Sequence, residues 1–389
     1  MALKVEVYQK EKVRPSSPTP QTLRYHKLSL VDAIVGYFYG PHVLFYPSGA
    51  GPRPHDYDEL KESLSKTLSI LYPLAGRLKD GSIIECNDEG ADFVRANVTN
   101  YDLGEFLRDP KQEDLLQLLP LDPYPDAIDP AMPMLGVQVN RFRCGGTAVG
   151  FCTWHGVVDG IGMATLYNTM AAINRGEEGV VGGPVVVDVT ATFSPAIPNM
   201  SKAMLTGFAG MKKELGGKYT SKRFVFSKQD IERMRNQYSQ SEHHRRPSRV
   251  EALSAFLWAA VIRATLCLGN ILQGTDSVWE VNGGAAGGLV TGRSLVGRVV
   301  EAMDKFTNHY VREMQAEVDF GWGKPIWIGM PQTLLDVALF VDTKDGGVEV
   351  WIGLDHEVMC NLDKDMEFNA YVSFAYIVSE SSCRLSSAL

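Results

Sequence analysis

Apolar and polar positions change period along this chain, and the changes mark out its elements. Leu60, Leu64, Leu68 and Leu71 recur at helical spacing over 59–71, which predicts a helix with one buried stripe, stopped by Pro73. Leu135–Phe142 and Thr147–Trp154 are strand-like runs joined by the turn-competent Cys144-Gly145-Gly146, and they predict a hairpin. After it, Ile161, Leu166, Met170 and Ala171 return at near-helical spacing. Short strands are expected at 83–86 and 222–226, and a second hairpin pairs 335–341 with 348–352 around Lys344-Asp345-Gly346-Gly347. Ser227-Lys228-Gln229-Asp230 and Ser248-Arg249-Val250-Glu251 each begin a helix, the second as a capping box ahead of Leu253, Phe256, Leu257, Ala260 and Val261. The stretch 13–20 reads as an extended lead-in, and 109–133, rich in Pro, Asp and Leu, as an irregular surface segment.

The first hairpin delivers a histidine. In Phe151-Cys152-Thr153-Trp154-His155-Gly156-Val157-Val158-Asp159-Gly160 an apolar run ends on His155, where a strand leaves for a loop before a helix. Catalytic side chains favour such positions, and an imidazole that titrates near neutrality suits a general base. A helical turn would put Asp159 and His155 on one face, but Gly156 and Gly160 work against a continuous helix there, which leaves Asp159 to hold the loop. An isolated H-x-x-x-D more often means a hydrogen-bonded core histidine and a turn aspartate. Cys152 is close enough in sequence to suggest a Cys/His pair, yet its place at a strand end favours a small buried filler.

Composition narrows the function further. A chain of 389 residues that is 45% hydrophobic can bury two or more cores. The 38 basic against 46 acidic residues give a net charge of −8 with no basic tract, which argues against a nucleic-acid partner. No apolar run approaches the roughly 18 residues of a membrane span, and the first twelve residues carry alternating charges instead of a secretory core, so the expected location is cytoplasmic, with no membrane partner. Six dispersed cysteines without C-x-x-C indicate neither a metal site nor a disulfide framework. Gly283-Gly284-Ala285-Ala286-Gly287-Gly288 lacks the Gly-Lys-Ser/Thr of a nucleotide loop, no G-x-S-x-G elbow exists, and His243-His244-Arg245-Arg246 reads as a solvated loop.

A second motif decides between the readings of His155. Asp319-Phe320-Gly321-Trp322-Gly323-Lys324-Pro325 lies far downstream, and H-x-x-x-D-G followed late by D-F-G-W-G resembles the plant BAHD acyltransferases, which use acyl-coenzyme A. Ser17-Pro18-Thr19-Pro20, Leu28-Ser29-Leu30-Val31-Asp32, Phe45-Tyr46-Pro47 and Tyr72-Pro73-Leu74-Ala75-Gly76-Arg77 extend the resemblance, most closely to the branch that includes vinorine synthase and salutaridinol acetyltransferase. The resemblance implies an α/β fold of two chloramphenicol acetyltransferase-like domains, with mixed sheets flanked by helices. The expected domains are 1–180 with H-x-x-x-D, a crossover at 181–220, and 221–389 with D-F-G-W-G. It further implies a monomer without permanent cofactor, taking acyl-coenzyme A and a small-molecule alcohol or amine, with His155 as base in a channel between the domains.

The resemblance assigns the remaining roles as well. Asp319 is either catalytic or a structural anchor, while Asp159, Gly160, Gly321 and Gly323 are structural. Thr153 and Trp322 are expected to touch substrate; core packing is the alternative for Trp322. Ser248 and Arg249, at a helix start that attracts anions, are expected near the coenzyme A phosphates. Two departures stand against this pattern. Only Cys267 and Leu268 occupy the place of a longer arginine-bearing segment before Gly269-Asn270, and another stretch is short near Gln315-Ala316. Asp159 and Asp319 thereby lack their expected arginine partners, and a weak or inactive relative that binds a small molecule or partner is the rival reading. A chain break at each junction is the corresponding structural expectation.

Overall fold

The computed structural model describes residues 2–36, 38–127, 129–177, 190, 194–199, 203, 219–239, 246–266, 318–331, 338–343 and 345–379. The chain divides into two compact units, Met1–Glu214 with Arg312–Gln332, and Leu215–Val311 with Thr333–Leu389. The first holds strands β1 (Val5–Val13), β2 (Tyr25–Lys27), β3 (Tyr39–Tyr46), β4 (Arg77–Lys79), β5 (Ile83–Glu85), β6 (Ala91–Val98), β7 (Leu135–Phe142) and β8 (Thr147–Trp154). The second holds β9 (Tyr219–Phe226), and the chain then returns β10 (Trp327–Gly329) to the first before β11 (Ala338–Asp342), β12 (Val348–Asp355) and β13 (Phe374–Ser379) complete the second. Helices α1 (Leu30–Val35), α2 (Tyr57–Ile70), α3 (Leu103–Phe106), α4 (Gln112–Gln117) and α5 (Gly160–Arg175) belong to the first unit. Helices α6 (Lys228–Tyr238), α7 (Arg249–Leu266), α8 (His356–Leu362) and α9 (Met366–Asn369) belong to the second.

The first unit is built on a mixed six-stranded sheet in the order β1-β6-β7-β8-β3-β10, whose one parallel pair is β6 with β7. Every residue of β8 is buried, as expected of a central strand covered on both faces. On α2 the predicted stripe is the buried one, Leu60, Leu64 and Leu68, and Asp56 caps the helix by accepting the Asp58 and Glu59 amides. Strand β1 escaped the sequence reading, because Gln9 to Lys12 put charge on both faces; an edge strand with one neighbour tolerates that. The helix α4 likewise lies inside the segment expected to be irregular.

The second unit packs α6, α7, α8 and α9 against the antiparallel sheet β11-β12-β9-β13. Its core centres on Phe224, Phe226, Phe256 and Phe368, the last two stacked with ring centroids 5.9 Å apart. Both predicted helix starts are capped by their serines, which accept the Asp230 and Glu251 amides.

One domain boundary differs from expectation. The D-F-G-W-G segment belongs to the first unit, because β10 pairs antiparallel with β3, Trp327 opposite Phe45 and Gly329 opposite Val43. Backbone pairing across a sheet outweighs sequence proximity. Most of the expected crossover at 181–220, the Gly283–288 run, and the two short junctions at Cys267 and Gln315-Ala316 lie outside the described residues. No described helix is long and apolar enough to cross a membrane.

Candidate active site

His155 follows the last residue of β8 and is held there by its own backbone, whose N–H donates to the Phe38 carbonyl at 3.1 Å. Its ring lies on Phe38, centroids 4.7 Å apart, and Phe38 in turn stacks on Tyr124 at 5.7 Å. The residue is partly exposed while Nδ1 is buried. Burial pushes the imidazole below its ordinary range, opposed by its own backbone carbonyl and by the Asp159 charge.

Asp159 does hold the loop. It is the N-cap of α5, its Oδ1 accepting the Gly162 amide at 2.9 Å, and it is exposed. Gly160 is the first residue of that helix. Gly156 sits where a side chain would strike the Gly36 backbone, 2.8 Å from an added Cβ, which explains the glycine immediately after the histidine. Cys152 is fully buried with its Sγ against the Leu121 carbonyl, and burial pushes its thiol far up, so it is an inert filler.

The face that carries His155 extends along β3. Gly40 lies opposite Thr153 and His42 opposite Phe151, so Phe38, Gly40 and His42 line up with His155, Thr153 and Phe151. Helix α5 covers this face. The Met163 methyl fills the space over Gly40, where an added Cβ would lie 2.2 Å from it, and the Tyr167 hydroxyl meets His42 Nδ1 at 3.1 Å. Burial, the nearby His155 and, in opposition, the Gly40 carbonyl leave His42 pushed down to about 4. Sequence reasoning missed His42 and Tyr167, since neither stands in a motif; a histidine inside an apolar strand was the available signal. Thr153 is fully buried on this face, below Met163 and Tyr167.

The D-F-G-W-G segment lies elsewhere. Trp322 packs edge-on to Tyr46 at 5.6 Å and stacks on His55 at 4.7 Å. Tyr46 and Tyr39 are opposite ends of β3, about 23 Å apart at strand rise, and His155 is at the Tyr39 end. Trp322 is completely buried, which favours core packing over a substrate wall. Asp319 lies in the same segment. Its Oδ1 accepts the Gly321 and Gly323 amides at 2.8 and 2.9 Å, closing a turn in which both glycines have positive φ, 85° and 89°. Four consecutive carbonyls are then tied down: Val318 by Tyr46 Oη, Asp319 by Arg175 Nη1, Phe320 by Asn174 Nδ2 and Gly321 by the Arg53 amide. The Arg175 guanidinium is itself paired with Glu177, at 2.7 Å.

Ser248 and Arg249 begin α7 in the second unit. Glu251 accepts the Ser248 amide at 2.6 Å, and the Arg249 guanidinium binds the Gly346 carbonyl and Asp342 at 3.0 and 2.9 Å. A carboxylate occupies the helix start, and the arginine is engaged by the β11–β12 hairpin, so this local geometry favours capping over phosphate binding.

The chain matches the Transferase family over residues 3–267 and 308–369. It is a BAHD acyltransferase. The acyltransferase is 31% identical to limonoid 21-O-acetyltransferase of Melia azedarach over 95% of its own length and 99% of that protein. It is 30% identical to vinorine synthase of Rauvolfia serpentina, over 94% and 98% of the two chains. The crystal structure of vinorine synthase covers 97% of this chain and all of its own at a TM-score of 0.72 and 26% identity. F. sporotrichioides TRI101, solved with coenzyme A and T-2, shares the fold at a TM-score of 0.62 and 17% identity, covering 91% of this chain and all of its own. This BAHD protein is therefore an acyl-coenzyme A-dependent acyltransferase of the two-domain, chloramphenicol acetyltransferase-like fold.

Proposed function

We propose that this acyltransferase moves an acetyl group from acetyl-coenzyme A to a hydroxyl of a polycyclic plant metabolite, with His155 as the general base. The observation that carries this is the His155 imidazole itself: desolvated, neutral, seated on Phe38 and open at one edge where β8 runs into α5. The acetyl group and the hydroxyl follow from the O-acetyltransferases among its relatives, which include limonoid 21-O-acetyltransferase and stemmadenine O-acetyltransferase.

Nε2 takes the proton of the acceptor hydroxyl as the oxygen attacks the thioester carbonyl. The tetrahedral intermediate collapses, its C–S bond breaks, and the imidazolium returns the proton to the departing thiolate, so free coenzyme A and the ester leave together. No covalent enzyme intermediate is needed. With Trp322 at the other end of β3, backbone N–H groups near His155 are the candidates for holding the oxyanion. We take the enzyme to act as a cytosolic monomer, which sizing chromatography would check.

Thiol release from acetyl-coenzyme A, followed with a panel of polycyclic alcohols and the matching amines, tests the reading. Alcohol-dependent release that disappears in His155→Ala is expected. Release with amines only would move the activity to N-acylation, and no acceptor-dependent release with any acyl donor would favour the inactive relative.

A further inference from the structure

A cavity of about 790 Å³ opens within the first unit, well away from His155. Its floor is Asn97 and Arg141, which share one cross-strand row with Thr147 and Tyr46 at the end of β3 farthest from the histidine. Both are the exposed residues of strands that are otherwise mostly buried. The loop 48–55 that follows β3 forms a wall, and the D-F-G-W-G segment fixes it from behind. A Cβ on Gly51 would lie 2.1 Å from the main-chain carbonyl carbon of Trp322, and the His55 ring stacks on the Trp322 indole at 4.7 Å. His55 Nδ1 and the Tyr57 hydroxyl both meet Thr147 Oγ1 at 2.8 Å, which holds two rings of the lining in place. Tyr8, at the irregularity in β1, adds a third ring and is 55% exposed. A preformed concavity of this size, with rings on its walls and a few fixed polar groups, has the form of a small-molecule site.

Charge decides what such a site takes. The charged side chains of the lining are Arg53 and Arg141, in a chain whose net charge is −8. Arg53 is already engaged, with its guanidinium on both Glu59 carboxylate oxygens and on the Asn174 carbonyl. The flanking acids are engaged too: Asp58 binds Arg95, and Asp56 accepts amides of its own helix. Glu6, in the same row as Asn97, stands two strands from Arg141, about 10 Å. Burial lowers the His55 pKa and raises that of Tyr57, so both rings are neutral. Arg141 is thus one unbalanced positive charge, without an ion pair among the described residues. We propose that this cavity is a second ligand site, for an aromatic monocarboxylate whose carboxylate takes the Arg141 fork beside Asn97 and whose ring lies among Tyr8, Tyr57 and His55. A guanidinium meets a carboxylate through two parallel N–H donors, and one free cation matches one negative charge. A phosphate monoester would bring nearly two. The site is separate from His155 and independent of the acyl-transfer reading.

Calorimetric titration of the full chain with 2-naphthoate is the test, with 2-naphthylmethanol and 2-naphthyl phosphate as matched probes. The naphthoate should bind one to one, about tenfold or more tighter than the neutral alcohol, because the charge-assisted hydrogen bonds are lost with the carboxylate, and tighter than the phosphate. Arg141→Met should weaken it about tenfold or more, and Arg141→Lys, which keeps the charge but not the fork, by less. Asn97→Asp is near-isosteric and exposed, and it sets a carboxylate on the strand beside Arg141. It should weaken naphthoate binding about as much as Arg141→Met with an unchanged Tm, which separates the effect from a folding defect. His155→Ala should bind as the wild type does. No binding, or full binding in Arg141→Met or in Asn97→Asp, overturns the proposal. Binding lost in His155→Ala would put the probe in the catalytic site and overturn it as well, and a phosphate that binds tighter than the naphthoate overturns the carboxylate assignment.

Discussion

The Tyr46 hydroxyl donates to the main-chain carbonyl of Val318 at 3.0 Å, across 272 positions of sequence. With Arg175, Asn174 and the Arg53 amide on the next three carbonyls, it ties the D-F-G-W-G turn into the first unit, at the opposite end of β3 from His155. The most recognisable motif of the chain after the histidine is thus explained by folding.

Asp319→Ala should therefore lower stability by about 2 kcal/mol or more, since two amides held at positive-φ glycines lose a carboxylate acceptor. Chemical denaturation should reveal the loss while the folded fraction keeps most of its kcat. An unchanged midpoint together with vanished activity would restore a catalytic role to Asp319.

His155→Ala should cost two to four orders of magnitude in kcat/KM, the usual contribution of a positioned base, without a change in circular dichroism. The wild-type pH profile supplies a second check. The base works as neutral imidazole, and burial pushes its pKa down, so the acid limb of kcat/KM should fall below the ordinary 6.5. A limb at or above that value would assign the titration to another group.

Asp159→Ala should remove the cap of α5 at a cost of about 1 kcal/mol, whereas Asp159→Asn should keep much of the cap. Both remove the negative charge that holds the His155 pKa up, so both should move the acid limb further down. Equal loss of stability in the two variants would contradict capping.

His42 gives a stability signature in acid. The unfolded chain protonates this imidazole near 6.5, but the folded protein resists until about 4. The unfolded state thus binds more protons between those values, and stability present above pH 6.5 is lost as pH falls toward 4. Replacing His42 with Gln should flatten that part of the curve, read from urea midpoints against pH.

Much of this was legible beforehand, and the misses share a cause. The hairpin that presents His155 was read to the residue, because β8 is largely apolar and Cys144-Gly145-Gly146 punctuates it. The capping boxes at Ser248 and Asp159's role in the loop were equally local, set within three or four residues. What sequence could not give was pairing at a distance. Nothing near residue 327 says that Trp327 will lie opposite Phe45, and nothing near 167 says that Tyr167 will reach His42. Trp322 was left open for the same reason: its burial depends on Tyr46 and His55, both more than 260 positions earlier.

The return of β10 to β3 also sets an order of events during synthesis. Until the ribosome has passed residue 329, one edge of β3 has no partner, and Tyr46, Asn174 and Arg53 wait without the carbonyls they will hold. Closing a loop of that size carries a length-dependent entropy cost of about 5 kcal/mol, met only when the clasp and the strand pairing form together. The nascent first unit therefore emerges as an open sheet while nearly all of the chain is made. Its exposed edge is one place where a chaperone, or a neighbouring nascent chain, would engage it.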